Sequence, residues 1–595
     1  MNRMFLCIAL LTVNLLSAQN VAINTDGTVA NSSAILDVKS NSKGILVPRM
    51  TTAQRTVIVS PAAGLLVYDT DTNSFWFFNG NAWTNLAGPD NASDGTNWLL
   101  SGNSGTTPLS DFIGTTDNQP LMFKVNNSRA GFLNLNGSVF WGTEAGMNST
   151  GSNNVAIGTR ALYHNISHNN LVAIGDSALF HNGIGATYFD DGIENSAIGS
   201  KALFSNTTGA RNIALGYKAM FSNTVANDNL AIGVEALSNN TTGYENTAVG
   251  NNSLRSNIIG AGNTAFGPST LRYNTGNFNS AFGTHALIFN TTGHRNTAVG
   301  RSALFHNTTG YENTAVGEGA LTTNYTGYQN TAIGRQAMFS NYSGIYNTAV
   351  GFSALIFNIA GTRNTVLGAY AMYQNNEGER NVALGYQSLN ANESGDQNVA
   401  IGVSALTVNV TGSNNTAVGY NADVTANNLS NATAIGYNAT VNANNKVVIG
   451  NSSVTSIGGY TNWSNFSDGR FKQNVKEDVP GLAFINKLRP VTYTLNVDGI
   501  NAFNSKDFPA EKKQVTVNPD KKNIVYTGFM AQEVEQAAKS LNYNFSGIDK
   551  PKDDNKQTYA LRYSDFVVPL VKAIQEQQKI IEDMRREIEE LKQRK

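Results

Sequence analysis

At 595 residues the chain is too long for one domain. Its formal net charge of -1 gives no general electrostatic case for nucleic acid or a membrane surface as partner. Only 14% of residues are charged and 56 are glycine, which suits a polar, repetitive body rather than a charged binding protein.

Residues 1–18 carry Arg3, an apolar run from Met4 to Val13, and the exit Leu15-Leu16-Ser17-Ala18. A charged start, a short apolar core and small residues at the exit are the pattern of a cleaved signal peptide. The chain is therefore expected to be secreted or on the cell surface. No later stretch reaches the roughly 18 apolar residues of a membrane helix, so no span is expected after removal. Cys7 is the one cysteine and lies inside this leader, leaving no disulfide or thiolate metal site in the mature protein.

Residues 19–98 read as a small β-meander. Gly64-Leu65-Leu66-Val67-Tyr68, Phe75-Trp76-Phe77-Phe78 and Ala82-Trp83-Thr84 are separated by turn-formers, which is hairpin chemistry. The aromatics suit a small core or a trimer contact better than a carbohydrate-binding face. Residues 99–146 read as connecting strands.

Residues 147–455 are a repeat array. Its unit is Asn-Thr-Ala-Val-Gly, then x-x-Ala-Leu, then Asn-Thr-Thr-Gly. The glycines fall at Gly199, Gly216, Gly233, Gly250 and Gly267, take one 16-residue step to Gly283, and resume a spacing of 17 from Gly300 to Gly436. A short period sustained this long is a solenoid signature, with stability shared between neighbouring units. The fold class is thus mostly β: a solenoid or β-roll fibre followed by a C-terminal α+β domain.

Within one unit, Thr314-Ala315-Val316 is expected as a strand with Ala and Val inside. Ala320-Leu321 is expected as a second inward pair on a helical or 3₁₀ turn. Stacked Asn ladders at equivalent positions are plausible. The six histidines, His164, His168, His181, His285, His294 and His306, all lie in the array. His164 and His168 are four apart, but no carboxylate or further histidine recurs beside them. No metal or cofactor is expected.

The array resembles the head repeats of trimeric autotransporter adhesins and the shafts of phage tail fibres. That resemblance implies three chains, and a fibre that can meet glycans or cell-surface ligands.

After the neck, residues 456–466, the composition changes abruptly to Lys, Asp and Glu. The segment beyond has no histidine and no cysteine, so a Ser-His-Asp site or a cysteine nucleophile within it is excluded. An activated hydroxyl there needs a lysine or carboxylate base. Ser467-Asp468-Gly469-Arg470-Phe471-Lys472 offers Ser467 and Lys472 five apart, with Asp468 and Arg470 between them. A solvated loop is the plainer reading of those residues alone.

Ser467-Asp468-x-Arg470-x-Lys472 resembles the start of the endosialidase-type intramolecular chaperone domain, peptidase family S74. Leu488-Arg489-Pro490-Val491-Thr492-Tyr493, Gly528-Phe529-Met530-Ala531-Gln532-Glu533-Val534, Tyr563, Pro569-Leu570 and Lys572-Ala573-Ile574 continue the match in order. The resemblance implies that residues 467–566 drive homotrimer assembly and then cut the Phe466-Ser467 bond. In that scheme Ser467 is the nucleophile and Lys472 the base. Asp468 and Arg470 match the motif, with supporting or purely structural roles left open. The alternative is the same domain acting as a trimerisation chaperone without cleavage.

Residues 567–595 repeat in sevens. Val567, Ile574, Ile581 and Ile588 form one series; Leu570, Gln577, Met584 and Leu591 form the other, three places on. This is the a/d seam of a coiled coil.

Overall fold

A computed structural model of the chain describes residues 20–86, 105–107, 111–461, 463–506, 519–555 and 557–595. The expected leader lies outside the described residues. The chain divides into two compact units, 1–115 and 116–595.

In the first unit, Arg49–Met50 pairs parallel with Leu66–Asp69, which continues antiparallel through Ser74–Phe78 and Trp83–Asn85. The meander is thus three strands with a parallel fourth, preceded by a separate parallel pair, Val21–Ile23 with Leu36–Val38. The helix Thr52–Thr56 starts on a capping box from Thr51 and Gln54. Its Arg55 is buried, donates to Asp69 at 2.8 Å and lies 3.8 Å over the Trp76 ring. Burial alone would push the Asp69 carboxyl up. The Arg55 guanidinium, the Thr52 hydroxyl and the backbone N–H groups of Thr72 and Asp71 outweigh it and hold the pKa at about 2. A depressed folded-state pKa stabilises above the ordinary carboxylate range and is lost as pH falls from about 4 toward about 2. Asp69→Asn leaves a buried guanidinium without its counter-charge, so it should cost about 3–5 kcal/mol in thermal melts of this unit.

The second unit begins with the antiparallel strands Leu121–Val125, Ser128–Leu133 and Val139–Trp141. From Val139–Trp141 onward each coil adds one three-residue strand, parallel and in register with the last, to Val447–Ile449. The ladder runs open from end to end: the register places Val447–Ile449 against Thr433–Ile435 and not against the first hairpin.

The strand residues sort differently from the expectation. Only the central Ala is inside: Ala298, Ala315 and Ala332 are fully buried. Val299 and Ile333, one place on, face outward. The reason is the period of two, since a three-residue strand with its middle side chain in must turn both neighbours out.

The Ala-Leu pair is inside as expected, but its turn is not helical. Leu321 has φ 50, and Leu304, Leu355 and Met338 repeat the left-handed conformation. That conformation costs roughly 1–2 kcal/mol per residue. Complete burial of the side chain returns about 1.5–3 kcal/mol. The turn also places the Leu321 N–H on the Ala337 carbonyl of the next coil at 3.0 Å. Burial and the inter-coil bond together win.

Two buried asparagine columns hold the loops. Asn313 Nδ2 donates to Asn296 Oδ1 at 3.1 Å and to the Gly327 carbonyl at 2.9 Å. Asn307 Nδ2 donates to Asn290 Oδ1 at 2.6 Å and to the Gly310 carbonyl at 2.8 Å. Each buried amide thereby bonds the equivalent asparagine one coil back and a loop carbonyl, which belongs to the next coil for Asn313 and to its own loop for Asn307. The second column breaks at the 16-residue unit between Gly267 and Gly283. There Asn274 bonds the Gly276 carbonyl, and Asn257 Oδ1 has no partner among the described residues.

The C-terminal domain packs Phe484, Val534, Phe545 and Phe566 into a small core. Val491–Tyr493 pairs antiparallel with Tyr526–Gly528, and the long helix Val567–Gln593 closes the domain. The first turns of that helix are part of this core, with Pro569 and Ala573 buried and Glu576 accepting the Leu482 N–H at 2.7 Å. Lys521 Nζ reaches back to the Val454 carbonyl at 2.5 Å, tying the domain to the end of the solenoid.

Candidate functional site: a serine–lysine pair at the domain border

The border segment contains one element, the 3₁₀ turn Gly469–Phe471. Asp468 caps it: Oδ1 accepts the Arg470 N–H at 2.9 Å. The turn folds the five-residue spacing back on itself. Lys472 Nζ then lies 2.8 Å from Ser467 Oγ. That distance is within reach for proton transfer between a hydroxyl and a candidate base.

Asp468 and Arg470 are not directed at the pair. The Arg470 guanidinium grips Asp468 Oδ2 through Nε at 2.9 Å and Nη2 at 2.5 Å. The Arg470 side chain and its backbone N–H hold the Asp468 carboxyl below its ordinary pKa. An Asp placed one before a glycine turn is a visible capping signal. Both side chains are thus engaged with each other and with the turn. Phe466 lies beside Phe471, with ring centroids 5.5 Å apart.

Ser467 and Lys472 are both exposed on the single chain. A lysine acts as a base only in its neutral form, which burial favours. The geometry of a dyad is therefore present in one chain while its desolvation is not.

The other motif blocks build the domain behind the pair. Arg489 forms an ion pair with Glu533. The Phe529 N–H donates to the Tyr563 hydroxyl at 3.1 Å, so the tyrosine ties the strand end to the start of the long helix. Sequence spacing did not reveal that contact, because 34 residues separate the partners.

On the long helix the heptad positions are open to solvent. Val567, Leu570, Ile574, Met584, Ile588 and Leu591 are all exposed, as is Gln577, with Ile581 half-buried. The first unit likewise leaves Val29, Ile35, Leu46 and Val59 exposed. Both are apolar surfaces without a partner inside one chain.

A parallel β-solenoid running into a small α+β domain defines a fibre-type protein. Two family models match it. Residues 22–103 match the phage tail like trimerisation region, and residues 467–543 match the chaperone of endosialidase, Peptidase S74. The segment that starts at Ser467 is thus similar to the endosialidase-chaperone family, and the first match supports self-association. No curated protein matches the chain. Among the described residues no helix is long and apolar enough to cross a membrane.

Proposed function

We propose that this chain is an exported, homotrimeric fibre whose C-terminal domain directs assembly and then cuts the Phe466-Ser467 bond. The observation that carries the cleavage is the 2.8 Å approach of Lys472 Nζ to Ser467 Oγ at the first residue of the family match. Ser467 Oγ attacks the Phe466 carbonyl carbon and gives its proton to Lys472. The C–N bond breaks, an ester joins Phe466 to the Ser467 oxygen, and Lys472 returns the proton to the freed amine. Water then hydrolyses the ester, releasing a Phe466 carboxylate and a fragment that begins at Ser467. Nucleophile and scissile carbonyl are adjacent in the chain, so proximity is supplied covalently and a single turnover needs no substrate pocket. Intact mass of the matured protein tests this, through a C-terminal fragment with Ser467 at its N-terminus.

Assembly has a second support. The outward strand residues form an apolar stripe down the solenoid, which includes Ile198, Leu215, Phe266, Phe282, Ile333 and Ile401, each exposed in the single chain. An uncharged stripe of this length is a surface for other copies of the same coil. Together with the heptad seam it would place three chains in one register, where a repetitive sequence could otherwise slip by a unit. Ile333→Lys with Ile401→Lys should leave the coils folded, since both side chains lie outside, but should lower the trimer fraction in multi-angle light scattering. A trimer of undiminished stability in that variant would remove the stripe from the interface. The fibre itself is the part that would meet glycans or surface ligands.

A further inference from the structure

One coil on the turn side of the solenoid carries smaller side chains than the coils on either side of it. Three successive coils present Arg301, Glu318 and Arg335 in one column, and Ser302, Gly319 and Gln336 in the next. The column after the Ala-Leu pair reads Phe305, Thr322, Phe339. The middle coil thus substitutes a glycine and a threonine where its neighbours carry larger groups. The result is a cavity of about 320 Å³ lined by these residues and His306.

Filled stretches of the same column show what is missing. Phe180, Phe204 and Phe221 stack face to face one coil apart, at 5.2 Å and interplanar angles of 10° and 7°. Phe180 stands at 83° to the following His181. Phe305 stands at 79° to His306, so it keeps the ladder pose. Adjacent parallel strands are about 4.8 Å apart, so Phe305 and Phe339 are separated by about two such steps. The Thr322 position lies between these two rings, and the edge of the Phe339 ring leans toward Gly319, 3.7 Å from where a Cβ there would stand. Thr322 puts no ring there, and its hydroxyl is turned onto the Gly319 carbonyl at 2.7 Å. Gly319, at φ 66, forms the floor.

The rim has a charge preference. Arg301 and Arg335 both pair with Glu318, at 3.7 and 3.6 Å. Two guanidiniums share one carboxylate, which leaves one positive charge for an incoming anion. Arginine binds carboxylates in a directed, forked geometry. Ser302, Gln336 and His306 add hydrogen-bonding groups at the edge. An aromatic side chain would use the walls and none of these groups. A sugar ring carrying hydroxyls and a carboxylate uses all of them.

We propose that this slot binds a carboxylated pyranose, a uronic acid residue of an acidic polysaccharide. Its ring lies between Phe305 and Phe339 and its carboxylate meets Arg301 and Arg335. The site is independent of the Ser467–Lys472 pair, and the test is run on the full chain both as wild type and as Ser467→Ala, so failure of cleavage does not affect it. Trimers of galacturonate, glucuronate and mannuronate, with galactotriose as the neutral control, are titrated calorimetrically. At least one uronate trimer should bind once per chain, and more tightly than the neutral sugar. Thr322→Phe restores the missing rung with a residue that both neighbouring coils carry. It should keep the melting temperature and weaken binding about tenfold or more. Arg335→Gln should abolish the preference for the acidic over the neutral sugar. The proposal is overturned if no uronate binds at about 1 mM, or if Thr322→Phe binds as the wild type does. It is also overturned if phenylalanine-containing peptides, and not uronates, occupy the slot and are lost in Thr322→Phe.

Discussion

A Ser467→Ala chain is expected to stay full length under conditions in which the wild-type chain yields a fragment beginning at Ser467. The alanine removes the attacking oxygen, and among the described residues no other hydroxyl is hydrogen-bonded to Lys472. Assembly should persist, because the heptad seam and the strand stripe do not involve residue 467. Lys472→Gln should slow cleavage by about 10²–10⁴, the usual weight of a positioned general base. Lys472→Arg separates a base from a mere structural cation. A guanidinium keeps a donor and a charge near Ser467 but does not deprotonate, so it should fail to rescue. The wild-type rate should also fall in the Ile333→Lys, Ile401→Lys variant, because weaker assembly leaves the pair exposed as it is in the single chain. Normal processing of Ser467→Ala at the same bond, read by intact mass, would defeat the dyad and favour a non-cleaving chaperone.

Gly317→Ala is expected to unfold the coils around it, at a cost of about 4 kcal/mol or more. Two effects add. Gly317 sits at φ 133, which L-residues rarely adopt. A Cβ built there would lie 2.5 Å from the Gly334 carbonyl oxygen and 2.6 Å from its carbon, both main-chain atoms of the next coil. Neither can move without breaking the ladder, and in a stacked array the damage passes to both neighbours. Gly319→Ala is the control. Its φ is 66, its nearest neighbour is the Thr322 hydroxyl at 3.3 Å, and Ser302 and Gln336 occupy the same column at φ 56. That change should cost about 1 kcal/mol. Equal losses in the two variants, measured by thermal melting, would show that close approach of the coils is not what the Gly317 column serves.

Much of this architecture is legible in one dimension because a solenoid is nearly one-dimensional. Each coil meets the next at a fixed spacing, so the 17-residue glycine period states the contact map directly, and Asn in register becomes an Asn column. The border was equally plain, where Gly- and Asn-rich repeats give way to charged residues at Ser467. Pattern failed where direction mattered. Thr-Ala-Val is compatible with Val inside or outside, and only the folded coil shows that the central Ala turns inward and Val out. A helical turn for Ala-Leu is the ordinary expectation of propensity. The left-handed Leu follows only from the inter-coil bond and the buried pocket it reaches.

The repeat period and the domain border came from residue order, since each depends on a regular interval or a change of composition, whereas the pair at 467 and 472 was implied by the resemblance of the motif blocks and not by spacing. Tertiary structure alone settled three further matters. Asp468 and Arg470 turn toward each other, because a cap and a fork are geometric facts. The outward strand residues line up as one exposed apolar stripe. The slot between Phe305 and Phe339 opens because three coils stack, and a missing side chain becomes a cavity only when filled columns stand on either side.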